Sequence, residues 1–171
     1  MGVTVTKSEQ FAPQNTSTQS HLVDAGGTGE IVGETLVMNF PAVPVSVARV
    51  RVAIAAYAAR LGVASALLER LTLAVSEAAT NVVLHAYDEA REPGLIDLEA
   101  AVGGGELRVS VADTGSGLRA GHKSPGLGLG LAIAGELADK VELLQGADGG
   151  LRVLMRFALP ARAFARREVA A

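Results

Sequence analysis

Cysteine is absent from the 171 residues, and so is tryptophan. The first absence removes disulfide frameworks, thiolate zinc sites and cysteine nucleophiles together. The second, with aromatic residues at only 4%, means that any core must be built from Ala, Val, Leu and Ile. Only three histidines occur, His21, His85 and His122, too scattered along the chain for a metal-ligand pattern. No apolar run approaches the ~20 residues of a membrane-spanning helix. The polar opening also lacks the basic-then-apolar pattern of a secretory signal, so a cytoplasmic protein without membrane association is expected. An excess of one charge is missing too. Fifteen basic residues against eighteen acidic give a net charge of −3, which offers no footprint for direct nucleic acid binding. What remains is 49% hydrophobic and 19% charged, enough apolar material for the core of one ordinary domain.

That material is unevenly spread. Residues 1–34 are rich in Thr, Ser, Gln and Gly without a sustained apolar period, the composition of a disordered N-terminal extension. Within them, Gly27-Thr28-Gly29-Glu30-Ile31-Val32-Gly33 loosely imitates a dinucleotide-binding loop, but its spacing is GxGxxxG and no strong strand precedes it. The domain is expected over 35–160, with 161–171 as a short C-terminal tail. Residues 36–40 read as a strand closed by Pro41 and Pro44. Val47, Val50, Ile54, Ala58 and Leu61 then recur at helical spacing, with Gly62 as the stop. A second helix is expected over 65–85, with Leu71, Val75, Ala78 and Val82 as its buried stripe. Residues 95–102 and 107–112 read as strands joined through Gly103-Gly104-Gly105-Glu106. After a glycine-rich loop come a helix over 129–139 and a last hairpin of 141–145 with 151–157. Antiparallel hairpins with gathered helices predict an α+β fold in which helices cover one face of a sheet.

Three segments carry chemistry. On the second long helix, Glu77, Asn81 and His85 stand at i, i+4 and i+8, so each step advances only ~40° and the three share a ridge. A carboxylate and a carboxamide at the rim of a buried face can line a pocket. There the amide oxygen is a hard ligand suited to Mg²⁺ and the carboxylate can accept a proton. A solvated polar helix face is the plainer reading of the same spacing. His85 drifts toward the apolar stripe, as a buried histidine near a helix end does. The second segment is an alternating strand that ends in Asp113 and turns through Gly115 and Gly117. Its carboxylate can accept a hydrogen bond from an exocyclic amine such as that of adenine, or can simply sit in an Asp turn. The third is Gly126-Leu127-Gly128-Leu129-Gly130-Leu131, opening a helix whose unpaired N–H groups form a seat for phosphates. No GxxxxGK[ST] run occurs, so this is not a P-loop.

In this order the segments resemble the N, G1 and G2 boxes of the GHKL (Bergerat-fold) ATP-binding superfamily, as Glu77…Asn81, Asp113-x-Gly115-x-Gly117 and Gly126-x-Gly128-x-Gly130. Within it the chain most resembles the bacterial anti-sigma-factor serine/threonine kinases. The matching text is Phe40-Pro41-Ala42, Leu73-Ala74-Val75-Ser76-Glu77-Ala78-Ala79-Thr80-Asn81, His85-Ala86-Tyr87, Gly128-Leu129-Gly130-Leu131 and Leu137-Ala138-Asp139-Lys140-Val141. The resemblance covers about 40–157 and implies a two-layer α/β sandwich of the histidine-kinase-like ATPase type. It implies ATP and Mg²⁺ as cofactors, with Asn81 coordinating the metal and Glu77 as general base. Asp113 would read the adenine amine, with Gly115 and Gly117 packed on the nucleotide. Gly126, Gly128 and Gly130 would form the lid hinge and help hold the phosphates. The family places a basic residue in the lid, and Arg119 and Lys123 both stand there.

The implied substrate is a serine or threonine of a STAS-type anti-anti-sigma protein, and the implied second partner is a sigma factor, bound by a homodimer of the kinase. The alternative is a catalytically silent ATP-binding module that sequesters a partner without phosphorylating it. A sensor histidine kinase is disfavoured, because the segment before Phe40 is short and polar for a dimerisation helix and His21 is a poor phosphoacceptor. Gyrase-like or chaperone-like ATPases would need transducer domains after the last hairpin.

Overall fold

The computed structural model describes residues 4–7, 26–32, 34–87, 92–115, 127–146 and 149–160. The elements are β1 (Thr4–Lys7), β2 (Thr28–Val32), β3 (Thr35–Pro41), α1 (Pro44–Arg60), α2 (Ser65–Asn81), a π-helical turn (Val82–Ala86), β4 (Leu95–Gly103), β5 (Glu106–Ala112), α3 (Leu127–Leu137), β6 (Lys140–Gln145) and β7 (Leu151–Ala158). All strands belong to one sheet in the order β1-β6-β7-β5-β4-β3-β2. Every neighbouring pair is antiparallel except β1 with β6.

Alternation along the strands explains the two layers. Leu36, Met38 and Phe40, then Ile96, Leu98 and Ala100, Leu107, Val109 and Val111, and Val153, Met155 and Phe157 are all buried on one face. The helices lie on that face: α1 over β3, α2 over β5 and β7, α3 over β6. The expected stripe of Leu71, Val75, Ala78 and Val82 is buried, as are Val50, Ile54 and Ala58 of α1. Each large side chain taken fully out of water contributes about 1.5–3 kcal/mol, so this seam is the main stabilising contact. The opposite face is polar. Arg152 donates to Glu99 at 2.7 Å and to Ser110 at 2.8 Å, Arg156 pairs with Glu142 at 2.9 Å, and Asn39 donates to Asp97 at 2.6 Å. The fold is thus the expected α+β sandwich with helices on one side. Among the described residues no helix is long and apolar enough to cross a membrane.

Local signals account for the boundaries. Pro44 opens α1 at the first helical position, where its missing N–H costs nothing. Gly62, at φ +70°, closes it, with Val63 N–H bonding Ala58 O and Gly62 N–H bonding Ala59 O. That is a Schellman end, which favours glycine. Gly104 and Gly105 both have positive φ between Gly103 and Glu106, so β4 and β5 join through a two-residue turn.

Three expectations need correction. The segment read as an extension through residue 34 contributes two strands: β1 pairs with β6, and β2 pairs with β3. Neither is periodic enough to announce itself, because each lies at a sheet edge and is held by a ladder to a single partner. The glycines of the false dinucleotide loop serve that packing. A Cβ on Gly27 would stand 2.4 Å from the Phe40 ring, and one on Gly29 would stand 2.1 Å from Val37 O; Gly33 lies outside the described residues. Second, the helix expected through residue 85 is α-helical only to Asn81 and continues as a π turn. His85 falls in that turn and is half-buried rather than buried. Third, the helix expected from residue 129 starts at Leu127, so two of the alternating glycines, Gly128 and Gly130, are helical.

Candidate functional site

Glu77 and Asn81 project from the last two turns of α2, one helical step apart. Glu77 is half-buried, whereas Asn81 is 7% exposed and its Nδ2 has no hydrogen-bond partner among the described residues. A buried, unpaired amide is costly, so Asn81 is held in a position that the fold itself does not reward. The opening of α3 lies against this pair. A Cβ on Gly130 would stand 3.1 Å from Glu77 Oε2 and 3.3 Å from both side-chain polar atoms of Asn81. Glycine therefore lets the first turn of α3, with its unpaired N–H groups, approach the carboxylate and the carboxamide. The alternating Gly-Leu pattern has its reason here, because Leu131 is buried in the core while Gly130 faces the polar pair.

Asp113 follows the last residue of β5. Its Oδ1 accepts from Gly115 N–H at 2.9 Å and from Leu151 N–H at 3.4 Å. Burial pushes the carboxyl above the ordinary aspartate range. The two backbone donors oppose that rise and the nearby Asp97 charge adds to it. The loop is joined to the end of the helix that carries Asn81. A Cβ on Gly115 would stand 2.0 Å from Ala86 O, so only glycine fits there. Gly150 N–H donates to Gly115 O at 2.8 Å and fixes the other side.

The structure thus brings Glu77, Asn81 and Gly130 into direct proximity, and it links Asp113 and Gly115 to the same helix through the π turn. Gly128 lies in the first turn of α3; Gly117 and Gly126, with Arg119 and Lys123, lie outside the described residues. Among the described residues no cluster of three or more His, Cys, Asp or Glu side chains could cage a metal. Two features of the site escaped sequence reading. The π turn is one, a distortion frequent at functional sites. The other is Tyr87, whose hydroxyl bonds both Leu95 and Thr114; its signal was its place directly after the helix, in His85-Ala86-Tyr87.

Comparison with known proteins agrees with this fold. Residues 40–157 match the family model described as the histidine kinase-like ATPase domain. The chain belongs to that family, within the GHKL superfamily, and to its branch of anti-sigma-factor serine/threonine kinases. Its relatives make the branch specific. It is 33% identical over 137 residues to the serine-protein kinase RsbW of Bacillus cereus (strain AH820), a match covering 71% of this chain and 83% of the relative. The same kinase of Bacillus thuringiensis (strain Al Hakam) is 31% identical over the same shares. A crystal structure of the RsbU and RsbW domains of Rv1364c from Mycobacterium tuberculosis has the same fold, with a TM-score of 0.60 at 24% identity, over 77% of this chain and 38% of that one.

Proposed function

We propose that this chain is an ATP-dependent serine/threonine protein kinase that also acts as an anti-sigma factor. It phosphorylates a STAS-type anti-anti-sigma protein and, as a cytoplasmic homodimer, sequesters a sigma factor. The observation that carries the reading is the approach of Gly130 to Glu77 and Asn81. A carboxylate, an unpaired buried amide and a helix N-terminus meet there, the parts that phosphoryl transfer needs.

In this reading Asp113 accepts a hydrogen bond from the adenine amine, with Gly115 against the base. The N–H groups at the start of α3 serve the phosphates, and Gly128 and Gly130 let the backbone come close. The resemblance to the family adds Gly117 to the adenine loop and Gly126 to the phosphate loop. The donor set fits Mg²⁺: one hard amide oxygen from Asn81, with the other ligands left to phosphate and water, as is usual for this ion. The ion supplies charge neutralisation on the phosphates. Glu77 takes the proton of the acceptor hydroxyl. The hydroxyl oxygen bonds to the γ-phosphorus as the bond to the β–γ bridging oxygen breaks, and ADP leaves.

The test uses labelled ATP, Mg²⁺ and purified candidate STAS proteins. Label should pass to a serine or threonine of one of them. Glu77→Ala should lower that transfer by about 10²- to 10⁴-fold, the usual worth of a general base, while nucleotide binding is retained. Tight nucleotide binding without transfer by the parent chain would replace the kinase with a silent sequestering module.

A further inference from the structure

Tyr87 plays no part in the reading above, yet its hydroxyl occupies an unusual place in the sheet. The β4–β5 ladder pairs Asp97 with Ala112; continued by two residues, the same register would pair Leu95 with Thr114. The Tyr87 oxygen stands between them instead. It donates to Leu95 O at 2.9 Å and accepts from Leu95 N–H at 3.2 Å and from Thr114 N–H at 3.0 Å. A phenol has one proton and two lone pairs, so these three bonds use it fully. Thr114 Oγ1 also lies within hydrogen-bond distance of the phenol oxygen, at 3.3 Å. The ring is seated on Gly94, where a Cβ would stand 2.0 Å from two ring carbons.

We infer that Tyr87 is a positioning residue for the adenine end of the site: its hydroxyl splays β4 from β5 just where Asp113 leaves the sheet. The inference rests on the nucleotide reading above and adds to it a residue that governs base selectivity. Asp113 is one residue before Thr114, and its Oδ1 is held by Gly115 N–H on the far side. Ala86 touches Gly115 and Tyr87 holds Thr114, so consecutive residues at the end of the π turn grip consecutive residues of the loop. Without the hydroxyl, three backbone groups lose their partner. Either water enters or the strands close by one more pair, and both shift the Asp113 carboxylate. A carboxylate aimed at a 6-amino group favours adenine over guanine, whose 6-oxo group offers no proton there. Loss of aim therefore lowers both affinity and discrimination. Among the described residues no hydrogen bond joins the phenol to Asn81 or to α3, the proposed phosphate end.

The experiment measures Kd for ATP and for GTP, each with Mg²⁺, on the full chain, Tyr87→Phe and Asp113→Asn. Tyr87→Phe should weaken ATP binding about three- to tenfold, the scale of one hydrogen bond, and lower the ATP-over-GTP preference by a similar factor. At saturating ATP the rate of transfer should stay within about twofold, the split expected when only ground-state binding is lost. The preference is a ratio taken on one preparation, so a partly folded variant does not disturb it. If Asp113→Asn weakens ATP binding but Tyr87→Phe keeps the parent's affinity and preference, the role of Tyr87 is overturned and the nucleotide site stands. If the parent chain binds no ATP, the nucleotide reading falls and takes this inference with it; if ATP binds but Asp113→Asn changes nothing, this inference falls while nucleotide binding stands.

Discussion

Asp113 and Asp139 both stand at a corner where a strand meets another element, and both accept backbone N–H bonds, yet their carboxyls are displaced in opposite directions. Asp139, in the turn between α3 and β6, is half exposed. Ala158 N–H donates to it at 2.7 Å and the Arg70 guanidinium lies at 3.1 Å. Those partners, the Ala158 bond foremost, hold its carboxyl below the ordinary range. Arg70 also donates to Leu137 O at 2.8 Å, so this corner ties the end of α3 to α2. Asp113 is more enclosed, pairs with no cation among the described residues and keeps a raised carboxyl because burial outweighs its two backbone donors. The first corner is satisfied by the protein itself. The second stabilises its charge incompletely, which marks a candidate functional group when it adjoins other polar, under-paired atoms. Asn81, with its unpaired Nδ2, is the under-paired group on the helix whose π turn meets Gly115 through Ala86.

The largest effect expected from this contrast is on nucleotide affinity. Asp113→Asn should weaken ATP binding by about 1.5–3 kcal/mol, or roughly tenfold to 150-fold, with the thermal midpoint unchanged or slightly raised. Asp139→Asn should leave ATP affinity at the parent value in the same titration calorimetry. Equal losses from both variants would erase the distinction.

A smaller effect should appear in pH dependence. If the charged form of Asp113 receives the adenine amine as proposed, affinity should decline on acidification through a window above the ordinary aspartate range, and Asp113→Asn should lose that limb. In the free protein the sign is the reverse. A carboxyl raised by folding binds its proton more tightly in the native state, so its contribution to stability falls as pH rises from the ordinary value through the raised one. Binding isotherms and urea midpoints across that range would measure the two slopes.

The smallest effect should come from Asp139. Its lowered carboxyl contributes stability that is present above the ordinary aspartate range and is lost as pH falls through the lowered value. Because the ion pair is half exposed, Asp139→Asn should cost about 1 kcal/mol or less at neutral pH and should flatten the acid limb of the stability curve, as read by thermal midpoints.

How much of this was legible follows from the range of each signal. The stripes on α1 and α2, the Gly104-Gly105 turn and the alternation of β4, β5 and β7 are local, and they fell within a few residues of their expected places. Glu77 and Asn81 were visible as a pair because the helical step alone puts them on one ridge. Gly130 was visible as a helix opener but not as the residue that admits α3 to that ridge, since its neighbours are some fifty residues away in sequence. The strands β1 and β2 escaped because their justification lies in the edges they cover. Tyr87 escaped because one hydroxyl among backbone groups leaves no periodic trace.

By itself, then, the sequence determined the element types, the apolar face of each and the kinds of chemistry at the ends of α2 and β5, because propensity, period and turn geometry act over a few residues. Only the tertiary structure decided what those groups meet: Gly130 against Glu77 and Asn81, Ala86 against Gly115, and a phenol between two strands. Such contacts depend on the burial of the whole helical layer on the sheet, and burial raises one carboxyl while leaving a similar one at another corner well paired.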